Sequence, residues 1–238
     1  MLGFLNEDDR LFRHSSAVFQ SCMNHTAQPD YYRALGLPQS FRAQQAILMA
    51  HVWLVHRRLA LEGEKGKIMQ ELVFDRLWEE TVVRIRYLNI SELTVNKYLA
   101  QVQQICFNAC IAYDKGLKEG PRYFQTAVAQ HLLENESTEG LRIASIMAEH
   151  MKRELKNLEK VDAKYIMLGT IPWTPLPETH AKIRPTDVDD VVLIGQRFGN
   201  WRSALDNRGK LYFWNITTRY SIWDRPTGDK LHEGEMSK

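Results

Sequence analysis

Apolar positions along the first two-thirds of this chain recur at intervals of three and four. Val95, Tyr98, Val102, Ile105, Ala109 and Tyr113 form one stripe; Leu141, Ala144, Ala148, Met151, Leu155 and Leu158 form another. Phe74, Trp78, Val82 and Ile85 repeat the pattern earlier in the chain. Such spacing places one apolar stripe on one face of a helix. From Phe41 to Leu59 the central turns are apolar on nearly every side, so this helix is expected inside a bundle. Pro38 and Ser40 mark its start, Gly63 and Gly66 separate it from the next, Ser91 is placed to cap a later helix, and Gly120-Pro121 ends one helix and opens another. The pattern predicts a mainly α fold, a bundle of about six or seven helices at ordinary helix lengths.

After Leu168 the pattern changes. Pro172, Pro175, Pro177 and Pro185 fall close together, which opposes helix and favours extended chain. Further on, Tyr212 to Thr217 alternates sides, with Tyr212, Trp214 and Ile216 on one face and Phe213 and Asn215 on the other. The turns Asp206-Asn207-Arg208-Gly209 and Thr217-Thr218-Arg219 bracket this strand, and Ser221 to Trp223 supplies the next. A small three-stranded antiparallel module is expected, held by a few aromatic contacts. The division reads as a lead-in over 1–28, short-helical or irregular; a helical domain over 29–177; a linker over 178–196; the β module over 197–228; and a polar tail over 229–238.

The chain has 238 residues, 44% hydrophobic and 25% charged, with formal net charge +2. These values are ordinary for a globular protein and do not point to nucleic acid. The longest dense apolar run, Ile47 to Val55, is too short to span a bilayer, so membrane contact is expected only at the periphery. Three cysteines, Cys22, Cys106 and Cys110, do not read as a disulfide framework. The start, MLGFLNEDDR, lacks the apolar core of a signal peptide and is too acidic for a transit peptide, so either the chain is not imported into an organelle or a presequence has been removed.

Catalytic chemistry is scarce. His51 and His56 are five apart and do not share a helix face as a metal pair would. Cys106 and Cys110 face one another at helical spacing without further ligands nearby in sequence. Lys152, Lys156, Lys160 and Lys164 recur every four residues, but Glu149, Glu154 and Glu159 interrupt them, which reads as a solvated face. Phosphate loop, nucleophile elbow and zincin motif are all missing from the sequence. The expectation is a protein without enzymatic activity, cofactor or metal.

Trp201 and Trp223 stand 22 residues apart, with Tyr212-Phe213-Trp214 between them and Pro226 after. This stretch resembles a WW domain. By position, the resemblance implies that Trp201, Phe213 and Pro226 form a buried buckle. Tyr212 and Trp223 would then clasp a proline, Ser221 would donate a hydroxyl, and Trp214 and Ile216 would line the neighbouring specificity pocket. The usual proline before the first tryptophan is missing, and Ile216 stands where readers of proline-proline-x-tyrosine motifs carry histidine; tyrosine-motif recognition is not implied. One candidate ligand lies in the chain itself, Trp173-Thr174-Pro175-Leu176-Pro177.

Four blocks of the helical region occur in register: YYRALGLPQSF, ILMAHVWLVHRRLALEGEKGKIMQELVFDRLWEE, ACIAYDKGL and YIMLGTIPWTPL. Over about residues 31–177 the chain resembles the ubiquinol–cytochrome c chaperone family. That resemblance implies an all-helical mitochondrial factor on the matrix side of the inner membrane, helping new cytochrome b enter the bc1 complex. It implies protein partners: cytochrome b, a second assembly factor, or the mitochondrial ribosome. His51, Trp53, Arg57, Arg58, Trp78, Glu79, Tyr113, Asp114 and Trp173 are the residues it nominates for partner binding, with Trp53 and Trp78 expected to pack. Two alternatives stand beside it: a stable accessory subunit of a respiratory complex, ATP synthase or mitoribosome, and a WW-type adaptor for proline-rich ligands.

Overall fold

The structure is a computed structural model that describes residues 7–88, 90–175, 197–205, 211–224, 226, 228 and 230. Among them are eight α-helices, α1 (Glu7–Thr26), α2 (Pro29–Leu35), α3 (Phe41–Leu59), α4 (Gly63–Tyr87), α5 (Glu92–Glu119), α6 (Pro121–Val128), α7 (Thr138–Lys160) and α8 (Ala163–Met167). A π-helical turn, Ala129–Leu133, continues α6. Short α2 and α8 account for the excess over the periodicity reading; at seven and five residues they are too brief to show a stripe.

The apolar helix α3 is the axis of the body. It packs against α1, α4, α5, α7 and the π turn, and Ile47, Ala50, Val52, Leu54 and Val55 have no solvent exposure. Its start is fixed as the sequence suggests: Ser40 accepts a hydrogen bond from the Ala43 N–H. Ser91 precedes α5 but its side chain makes no such cap. The lead-in is more than a fringe. Helix α1 runs twenty residues, packs on α3 and α4, and buries Val18, Phe19 and Cys22.

Gly63, at φ 61°, makes the turn between α3 and α4, whereas Gly66 lies inside α4. A Cβ on Gly66 would sit 2.0 Å from the Leu59 carbonyl oxygen, so this glycine permits close approach rather than a turn. The α5 stripe divides along its length. Val95, Ala109 and Tyr113 are buried, but Tyr98 and Val102 are half-buried and Ile105 is exposed, because the neighbouring helices part there to leave a groove.

The expected antiparallel strands form as β2 (Trp201–Leu205), β3 (Leu211–Asn215) and β4 (Ser221–Ile222), with a two-residue β1 (Arg197–Phe198) added at the edge. Register pairs Trp201 with Asn215, Ser203 with Phe213, and Phe213 with Ile222. The Asp206–Gly209 turn, the 178–196 linker and most of the tail lie outside the described residues.

Gly66→Ala is expected to destabilise the protein by roughly 1–3 kcal/mol, the usual cost of forcing atoms into a filled space. Urea unfolding of the variant against the parent chain measures this; an unchanged midpoint would contradict the packing described.

Candidate functional site

The most connected polar cluster of the helical body surrounds one tyrosine hydroxyl. Tyr31, at the start of the first sequence block, meets the Nε2 atoms of His25 at 2.6 Å, His51 at 3.1 Å and His150 at 3.3 Å. The partners of the histidines settle their tautomers. The Nδ1–H of His51 donates to the Ile47 carbonyl at 2.9 Å, so its Nε2 is bare and accepts the Tyr31 proton. Arg153 donates to His150 Nδ1 at 2.9 Å, so His150 presents an Nε2–H to the Tyr31 oxygen. The remaining lone pair of that oxygen takes the Nε2–H of His25. The Tyr31 hydroxyl and the three Nε2 atoms that meet it are thus matched. Among the described residues no group of side chains is arranged to hold a metal.

Burial keeps the three rings neutral. It pushes His25 and His150 down to about 4 and His51 to about 3, from an ordinary value of 6.5. His25 and His150 add to the effect at His51, and the Arg153 guanidinium and then His25 add to it at His150.

The strap closes this cluster. Trp173 stacks on His25 with centroids 5.1 Å apart and planes 8° from parallel, and its indole N–H donates to Ser21 Oγ at 3.1 Å. Glu154 Oε1 accepts from the Thr174 N–H at 3.2 Å and from the Thr174 hydroxyl. Arg153 donates to the Pro175 carbonyl at 3.2 Å. Burial raises the Glu154 carboxyl to about 7, and its Oε2 has no hydrogen-bond partner among the described residues. Trp173 to Pro175 are therefore anchored on the helical body, and the sequence candidate for a self-docking ligand is engaged there. Leu176 and Pro177 lie outside the described residues.

The nine nominated residues of the helical body separate into two groups. His51, Trp53, Arg58 and Tyr113 are 0%, 2%, 6% and 1% exposed, so they serve the core and do not face a partner. Arg58 donates to the Leu158 and Val161 carbonyls at 2.8 Å each, satisfying the end of α7, and pairs with Glu62. Trp53 donates to Asp114 Oδ1, which also receives Arg57 at 2.5 Å. Arg57, Asp114, Trp78 and Glu79 reach the surface, and Trp173 is half-buried.

An aromatic step does face outward along α4 and α5. Phe74, Trp78 and Phe107 lie mutually 5.6–5.9 Å apart. Phe107 is 44% exposed, and Ile111, one turn further on α5, is 66% exposed. Glu79 pairs with Arg76 beside it. Trp78, nominated for partner binding and expected to pack, is half-buried in this cluster. The basic stripe is broken, since α7 ends at Lys160; Lys152 pairs with Glu149 and Lys164 with Asp162.

In the β module Trp201, Phe213 and Pro226 are buried. Tyr212 and Trp223 meet edge-to-face at 6.2 Å, with Trp223 54% exposed and Ser221 exposed at the adjoining strand. Trp214 and Ile216 are half-buried on the Tyr212 face, and the Arg219 guanidinium lies 5.6 Å from the Trp214 ring centre. Buried Asn215 accepts from the Thr217 and Thr218 N–H groups at 2.9 Å and so fixes the turn.

Sequence reasoning missed His25, His150, Glu154 and Thr174. Only Tyr31 carried a signal, as the first residue of a block; the others join it from three separate elements without a common spacing.

The helical body is thus built around the apolar axis α3 and closed by Trp173. The ubiquinol–cytochrome C chaperone family matches residues 33–173, and the chain belongs to that family. It is 23% identical over 166 residues to the ubiquinol-cytochrome-c reductase complex assembly factor 1 of Xenopus laevis, covering 69% of this chain and 82% of the relative. The assembly factor 1 of Mus musculus is also 23% identical, over 68% of this chain and 55% of the relative, and that of Homo sapiens is 22% identical, over 68% and 54%. The chain thus spans about half the length of the two mammalian relatives. The crystal structure of the Cbp3 homologue from Brucella abortus shares the fold, with a TM-score of 0.63 at 14% identity over 71% of this chain and 93% of that one.

Stability is expected to fall as the pH drops from 6.5 towards 4.5. The unfolded chain protonates three histidines there that the folded chain keeps neutral, so protons favour unfolding. Glu154 acts oppositely, because the folded chain holds its proton up to about pH 7 against 4.5 for the ordinary group. Three rings outweigh one carboxyl, and urea midpoints across this range show the net fall. Tyr31→Phe leaves three ring nitrogens unpaired and is expected to cost roughly 2–5 kcal/mol in the same measurement.

Proposed function

We propose that this chain is a non-enzymatic assembly factor for the mitochondrial cytochrome bc1 complex, acting on the matrix side of the inner membrane and holding newly made cytochrome b. Membership of the chaperone family and the role of its relatives as ubiquinol-cytochrome c reductase complex assembly factors support this reading. The observation that carries it is the exposed aromatic step of Trp78, Phe107 and Ile111. Apolar surface left open beside charged neighbours suits a protein partner rather than a reaction. No helix among the described residues is long and apolar enough to cross a membrane, so contact with the bilayer would be through the client or at its surface.

The β module supplies a second contact in this reading. The Tyr212–Trp223 corner has the form that receives a proline, with Ser221 beside it and Trp214 and Ile216 as the adjoining pocket. Glu154 and Arg153 hold the strap segment Trp173–Pro175 on the helical body, which favours a proline-rich stretch of another protein as the ligand.

Depleting the protein is expected to reduce cytochrome b insertion, read on blue-native gels. Co-migration with a mature complex at fixed stoichiometry would overturn transient action and favour a permanent subunit. Trp78→Ala with Phe107→Ala is expected to lower client co-purification about tenfold while leaving the melting temperature within a few degrees, as for central aromatic anchors of an interface. Trp223→Ala is expected to abolish binding of a proline-rich peptide to the full chain, measured by fluorescence anisotropy, without changing cytochrome b capture.

A further inference from the structure

A groove with largely apolar walls is left open beside α5. Its volume is about 380 Å³, within the roughly 300–1,000 Å³ of small-molecule sites. Met49 and Phe41 of α3 form one wall, and Tyr98, Val102 and Ile105 of α5 form the other. Leu133 closes one side from the end of the π turn, and the Arg42–Glu134 pair lies at the rim.

Two side chains bordering this groove are buried with polar atoms that lack partners among the described residues. Gln45 is 4% exposed; its amide N–H donates to Thr81 Oγ1 at 3.0 Å, which fixes the amide orientation and leaves Oε1 unmatched. Tyr113 is 1% exposed, and its hydroxyl makes no hydrogen bond. Cys106 is their common neighbour. The Gln45 amide approaches its Sγ at 4.0 Å, and burial keeps the Tyr113 hydroxyl protonated, with Cys110 and then Cys106 adding to the effect. Gln45, Cys106 and Tyr113 all line the same apolar channel.

We propose that this groove binds a small, neutral, mostly apolar alcohol or phenol, whose O–H donates to Gln45 Oε1 and whose oxygen accepts from Tyr113. One hydroxyl matches both atoms at once, since it donates one hydrogen bond and accepts others. A carboxylate does not suit these two atoms: it offers no proton to Gln45, and the cation at the rim, Arg42, is already paired with Glu134. Gln45 shifts slightly to meet the ligand, because Oε1 is covered in the empty groove. The site is separate from the Trp78 step and from the β module, so its fate is independent of the assembly reading.

Isothermal titration of the full chain with 4-propylphenol and with its methyl ether, 4-propylanisole, tests the proposal. The phenol is expected to bind about fivefold tighter, the value of one or two neutral hydrogen bonds. Tyr113→Phe is expected to weaken the phenol about threefold and leave the ether unchanged. Ala46→Trp, which fills the groove, abolishes both; Ile105→Trp, at an exposed position on its edge, does the same if the first variant fails to fold. Equal affinity for phenol and ether overturns the proposal, as does binding that survives a folded groove-filling variant. Failure of both small molecules overturns it too, and capture of a leucine-rich helical peptide in their place would assign the groove to a protein.

Discussion

The helical body depends on how one hydroxyl distributes one proton and two lone pairs. Tyr31 stands where α1, α2, α3 and α7 converge, and each of the other three elements sends a histidine to its oxygen. The arrangement works in one pattern of protons. That pattern is set from outside, by the Ile47 carbonyl and the Arg153 guanidinium. A buried polar centre of this kind adds little net stability over an apolar one, but it penalises every alternative packing that leaves a nitrogen unmatched. It gives four helices one shared register, and the Trp173 ring seals it from above His25.

Against this closed centre, three surfaces remain open. The Trp78 step shows apolar surface to solvent, the groove beside α5 is open between its walls, and Trp223 is 54% exposed beside Tyr212. The contrast is informative because the same chain fills its axis so well. A sequence able to leave Ile47, Leu54 and Val55 without exposure does not lack the means to cover Phe107 or Ile105. Their exposure is placed at seams between elements, where partners meet two helices at once.

Much of the fold was legible in the order of residues. The all-round apolar run of α3 announced the axis, Ser40 and Gly120-Pro121 marked true boundaries, and the strand alternation gave the buried face of the β module with Phe213 and Asn215 inward. Helices α2 and α8 were invisible because one or two turns carry no period. The α5 stripe was read as continuous core; the sequence has no means of stating that α3 and α5 part at Ile105. The polar centre was the hardest feature. His25, Tyr31, His51 and His150 are brought together across up to 125 residues of chain, from His25 to His150, and burial of a histidine is a property of the assembled helices rather than of any spacing. Four of the nine nominated residues, His51, Trp53, Arg58 and Tyr113, are internal, because family blocks also contain what holds the body together.

Gly116 ends the Tyr113–Gly116 block for a related reason. A methyl group there would lie 2.6 Å from the Phe124 Cα, where the main chains of α5 and α6 touch. Phe124 in turn carries Trp53 and Tyr113 against its ring. The hinge between the two helices is therefore written in a missing side chain, and its angle positions the aromatic trio behind one wall of the open channel. Evolution can vary the channel's lining freely only while this bare position stays bare, so diversity among descendants should pivot around it.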